Sequence, residues 1–208
     1  MQFFPDPTFG WVYLGTLLAL LAAASVSDLR YMKIPKQVTL TALALGIIFN
    51  VSRVAWLAAG EHRTWPIQTA NPWLGGFVGL LFALTGLLLG FVIYTAIWIL
   101  GACGGGDVKL FTAIGAWVGP ITLIYVLMVT VVTLIVYVIG RTALAPLRGD
   151  TKALRTRKPT TKSPAHRPLM THALTMSVAT VLVLGWTLRH EMHLFNDGPV
   201  ETQTNSRI

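Results

Sequence analysis

The sequence predicts an all-α fold: a polytopic membrane helical bundle of about six segments, one of them short, with both termini periplasmic. Three observations predict it. Of the 208 residues, 54% are hydrophobic and 12% are charged, about half the charged share of a soluble domain. The apolar residues form runs long enough to cross a hydrocarbon layer, which takes about 20 helical residues. Lysine and arginine are distributed unequally between the loops that separate those runs.

The elements follow in order. Residues 9–27 are apolar, and residues 1–10 contain no Lys or Arg. A cleavable signal peptide begins with a basic region, so the first run is expected to be a retained span. A polar segment, 28–36, leads to a second span at 38–58. The connection 59–72 carries Glu61, His62, Arg63 and Asn71, with Trp65 and Trp73 as interfacial anchors. The third span, 73–100, contains Gly75, Gly76, Gly79, Gly86 and Gly90; small residues let membrane helices approach closely. After a short loop, 101–109, residues 110–118 are apolar but too few to span. Gly119-Pro120 interrupts them before a long run at 121–139. A proline there either kinks one helix or ends a short one.

Charge decides between these readings. With a short helix that turns back, twelve of the 16 Lys and Arg residues share one side: Arg30, Lys33, Lys36, Lys109 and the eight in 141–167. Three lie opposite: Arg63, Arg189 and Arg207. Arg53 falls inside the second span and is expected to snorkel to the near surface. One kinked helix would split the positive charge between the two sides. The short-helix reading therefore gives a cytoplasmic basic face, a basic cytoplasmic loop at 141–168, a last span at 169–188 and a flexible tail at 189–208. The whole chain reads as one membrane-embedded domain.

Composition also excludes functions. The net charge of +8 is concentrated in that one loop, which fits topology and a lipid bilayer partner rather than nucleic acid. The single cysteine, Cys103, excludes a disulfide framework and paired-cysteine zinc sites. The five histidines are scattered, and His190 with His193 is the one ligand-like pair. No metal or cofactor is expected.

Two of the eight acidic residues, Asp28 and Asp107, lie at span boundaries on the expected cytoplasmic side. A carboxylate beside hydrocarbon is costly, so such positions are functional candidates. From position alone, they read equally as counter-ions of Arg30 and Lys109. Asp107 follows Gly104, Gly105 and Gly106, which allow unusual backbone angles and close approach of an extended peptide. Asp107 also precedes a short helix, whose N-terminus favours an anion. A phosphate loop would need Ser or Thr after the lysine, whereas Leu110 follows Lys109. Asp28 is followed by Ile34-Pro35, and Pro35 suits the start of the second span.

With the segment from Gly104 to Leu110, the Asp28 to Pro35 segment and the run from Ala113 to Gly119, the chain resembles the type IV prepilin leader peptidases, membrane aspartic proteases of the GxGD class. The resemblance covers about residues 10–140. It implies that Asp28 and Asp107 are a catalytic pair. Gly104, Gly105, Gly106 and Pro35 are candidates to bind or orient substrate; Arg30, Lys33 and Lys109 are candidates to orient the pair or the leader, and read equally as solvated interfacial charges. The resemblance implies a pilin-like partner with a basic leader and a hydrophobic helix, cut at the cytoplasmic face. Lys36 stands where the family often has Asn. Bifunctional members carry an N-terminal segment with paired cysteines and also N-methylate the product. The compact form looks like the Flp/Tad-type pilus peptidases, so cleavage without methylation is expected. Two other classes remain open: a small transporter using the aspartates as a proton or cation site, and a non-catalytic assembly component. A presenilin-like protease would have Tyr before the first aspartate, where this chain has Ser27.

Overall fold

A computed structural model of the protein describes residues 3–31, 35–60, 71–101, 103–144 and 172–189. These are all-helical: α1 (Pro7–Tyr31), α2 (Lys36–Ala59), α3 (Pro72–Ile99), α4 (Gly105–Leu144) and α5 (His172–Leu188). By length and composition, four of them are able to cross a membrane, and α5 is a shorter apolar helix. Their outward faces carry residues such as Phe77, Leu88, Phe91, Val132 and Val136, a surface suited to lipid and not to water.

Local chemistry sets most helix starts. α1 opens with Pro7 at its first position, where no N–H is needed. Pro35 caps α2 in extended conformation. In α3, Pro72 follows Asn71, whose side chain accepts a bond from the Trp73 amide at 3.1 Å. The α1 and α4 boundaries differ from the expected loops. α1 continues through Asp28 to Tyr31, and α4 begins at Gly105, before Asp107. Helical hydrogen bonding does not stop where the apolar run stops, because the backbone ladder extends into polar sequence.

α3 packs closely against both α2 and α4, and glycine is the reason. A Cβ on Gly75 would lie 2.6 Å from the Ala58 Cβ, and one on Gly79 would land on the Asn50 carbonyl, both in α2. Gly86 and Gly115 face each other so closely that a Cβ on either would strike the other's carbonyl. The expected role of the α3 glycines in close helix approach holds at these positions.

α4 is interrupted at Gly119, whose backbone (φ 74°, ψ 175°) is not helical. That left-handed φ is open to glycine at little cost, and Phe82 occupies the space a Cβ would need. The chain turns back here. A Cβ on Gly90 would lie 3.1 Å from the Phe111 carbonyl and 3.2 Å from Leu123 Cδ2. In an unbroken helix, those two residues would stand about 18 Å apart. The arm 105–118 and the arm 120–144 are thus neighbours.

Arg53 corrects the expectation of snorkelling. It is 3% exposed; its Nε donates to Asn50 Oδ1 at 3.2 Å and its Nη1 to the Phe3 carbonyl at 3.0 Å. Its guanidinium lies 4.0 Å from the centroid of Phe3 and 5.2 Å from that of Phe82, so cation–π contacts replace water. The connection 61–70 with Trp65, the basic loop beyond Leu144, the tail beyond Arg189, and His190 and His193 lie outside the described residues.

Candidate active site

Asp107 is in the first turn of α4. Its Oδ2 accepts the Gly104 amide at 2.9 Å, while the Asp107 amide donates to the Gly104 carbonyl at 3.0 Å. This is half of a capping box, with the carboxylate of the third residue satisfying the amide that precedes the helix. The triple glycine does not adopt the unusual backbone expected of it. Among the described glycines, those with positive φ are Gly101 and Gly119, and Gly105 and Gly106 are helical. A helix start needs ordinary dihedrals, so what the glycines supply here is clearance. Nothing lies within 4 Å of a Cβ placed on Gly105.

Asp28 is part-buried in the last turn of α1, and Ser25, one turn earlier, is hydrogen-bonded to Ser177 of α5 at 2.9 Å. Arg30, Pro35, Gly104, Gly105 and Lys109 are exposed, and Gly106 is half-buried. Cys103 lies between α3 and α4, with its thiol 3.8 Å from the Tyr94 carbonyl. Burial, and then the Asp107 carboxylate, push that thiol above its ordinary range.

The packing of α1 against the arm 105–118 brings the aspartates to one end. Tyr13 stacks edge-on against Trp117, with ring centroids 4.9 Å apart. Further along, Leu17 and Leu21 share an apolar crevice with Leu110, Ile114 and, from α2, Val38. Numbering rises along α1 as it falls along α4, so the two run antiparallel. Asp28 lies beyond Leu21, and Asp107 lies just before Leu110. Counting residues from these contacts places Asp28 four to five residues, about 7 Å, further out than Asp107. Cα–Cβ bonds tilt toward a helix's N-terminus, so those of Asp28 and Asp107 tilt toward each other along the bundle axis.

The other end of the arm 105–118 holds residues that hydropathy did not flag. Pro120 has no N–H, and a helix end leaves carbonyls without intrahelical donors. Asn50, fully buried, donates to the carbonyls of Ala116 and Trp117, both at 2.9 Å, and to that of Gly46 at 3.1 Å. Tyr13 Oη donates to the same Trp117 carbonyl. Trp117 Nε1 donates to the Ala42 carbonyl at 2.6 Å, and its indole fills the space beside Gly46, where a Cβ would lie 2.7 Å from Cδ1. The only sequence signal for this network is three polar side chains, Tyr13, Asn50 and Arg53, inside otherwise apolar runs.

The fold and the site together define a multi-pass helical membrane protein with two carboxyl groups at one end of its bundle. The sequence matches the type IV leader peptidase family over residues 15–139, and the chain belongs to that family. An enzyme of Escherichia coli O78:H11 named as processing the leader peptides of type 4 prepilin-like proteins is 35% identical over 125 residues, 56% of this chain and 39% of its own length. A prepilin leader peptidase/N-methyltransferase of Pectobacterium carotovorum is 31% identical over 113 residues, covering 50% and 32%. A prepilin peptidase of Methanothermobacter thermautotrophicus is 32% identical over 104 residues, covering 49% and 22%. The chain thus spans less than half the length of each of these relatives. No solved structure matches it.

Proposed function

We propose that this protein is a membrane aspartic endopeptidase that removes the basic leader of type IV prepilin-like precursors, with Asp28 and Asp107 as its catalytic pair. What supports the reading is the helix register, which puts both aspartates toward one end of α1 and the arm 105–118, in a chain of the leader peptidase family. Amide hydrolysis needs an activated water and a proton donor for the tetrahedral oxygen or the leaving amine. Two carboxyl groups sharing one proton supply both. The open face at Gly105 gives an extended peptide access to Asp107, with Pro35 bordering the substrate's path. Arg30 and Lys109 orient the carboxyl groups; they would repel the cations of a basic leader, which are best accommodated away from them.

In this proposal, the chain forms six membrane segments in the inner membrane, with both termini periplasmic and the aspartates facing the cytoplasm. The return of the chain at Gly119 and the twelve-to-three bias of Lys and Arg support it. The substrate's hydrophobic helix lies in the bilayer beside the bundle, because the cleavage site adjoins it. The product's amino terminus is left unmethylated.

The test is cleavage of a pilin-like precursor in proteoliposomes, with mass analysis of the new terminus. Wild type should yield leader and unmethylated mature chain, and Asp28→Ala and Asp107→Ala should yield neither. An inert wild type, or a cutting variant, would refute the reading. Ion-dependent flux without cleavage would point to a transporter.

A further inference from the structure

We propose that the Trp117 carbonyl is the pin that sets the register between the two aspartate-bearing helices, and that Tyr13 and Asn50 are positioning residues acting through it. This rests on the peptidase reading for its kinetic consequence, but its structural content stands apart from it.

The geometry is specific. One carbonyl, at the end of the arm that begins with Asp107, accepts from Tyr13 of α1 and from Asn50 of α2. α1 carries Asp28. Tyr13 and Asp28 therefore belong to one rigid rod, and Trp117 and Asp107 to another, joined by a hydrogen bond at the end remote from the carboxyl groups. Apolar packing between α1 and the arm, at Leu17, Leu21, Leu110 and Ile114, is non-directional and tolerates sliding. A directed bond to a carbonyl does not. That carbonyl is available because the backbone leaves helical geometry at Gly119; in an unbroken helix, the amide of residue 121 would occupy it. The break at Gly119-Pro120 thus does more than reverse the chain. It frees the acceptor to which the Asp28 helix is tied.

The test uses Tyr13→Phe, which deletes the hydroxyl and keeps the ring contacts with Phe4, Phe49 and Trp117. Cleavage by this variant should show kcat reduced roughly tenfold or more, the scale on which small misplacements act, with KM unchanged. The second measurement needs no activity. In a Cys103→Ser background, Asp28→Cys with Asp107→Cys reports the register by its rate of crosslinking with a short bifunctional maleimide. Adding Tyr13→Phe should change that rate several-fold. Asn50→Leu should act in the same direction where it folds. Phe9→Leu, which removes a ring packed on Phe4, Phe49 and Trp56, should lower thermal stability and leave kcat and crosslinking unchanged. Equal crosslinking rates with and without the Tyr13 hydroxyl would overturn the proposal. If wild type fails to cleave, the peptidase reading falls, and the crosslinking arm still decides the pin.

Discussion

Cys103 stands four residues before Asp107, and burial and that carboxylate together raise its thiol above the ordinary range. Thiolate is the reactive form, so Cys103 should react slowly with maleimide near neutral pH and faster as pH rises. Removing the negative charge in Asp107→Asn lowers the thiol's pKa and should speed labelling at a fixed neutral pH; an unchanged rate would separate the two groups electrostatically. The aspartates were legible because carboxylates at the ends of apolar runs are rare and expensive. Tyr13, Asn50 and Arg53 were not. Tyr13 stands in an apolar stretch of α1, and Asn50 and Arg53 stand in one of α2; apart from the bond between Arg53 and Asn50, their partners are backbone carbonyls and rings. Hydropathy suggested that Arg53 would reach for water, because no sequence pattern announces the Phe3 and Phe82 faces that receive it.

At the level of elements, existence was readable and ends were not. The apolar runs located all five described helices, yet α1 runs past Asp28 and α4 starts before Asp107, so both aspartates are held by helix ends instead of loops. The glycines of the third span signalled close approach, and the structure assigns them neighbours: Gly75 and Gly79 to α2, Gly86 and Gly90 to α4. Gly86→Ala must separate α3 from the arm 105–118 and should cost about 2 kcal/mol or more, the scale of core overpacking. Gly15→Ala, which meets nothing within 4 Å, should cost nothing measurable. Thermal unfolding in one detergent compares them, and equal midpoints would remove the glycine contact as a determinant of packing.

For the whole molecule, the unequal charge was enough to predict that the chain turns at Gly119-Pro120, because only a return collects the basic residues on one side. The relative height of the two carboxyl-bearing helices was beyond sequence reasoning. It depends on bonds to one carbonyl from Tyr13 and Asn50, 104 and 67 residues away in the chain, and nothing local encodes that pairing. The central claim, that Asp28 and Asp107 act as one catalytic unit, is tested most directly by the cleavage rates of Asp28→Asn, Asp107→Asn and the double variant on one precursor. Groups that act as a unit are non-additive: each single substitution should remove roughly a thousandfold or more of the rate, and the double variant should be no slower than either. A single variant that keeps near wild-type cleavage, or a double variant slower by the product of the two losses, would contradict the account.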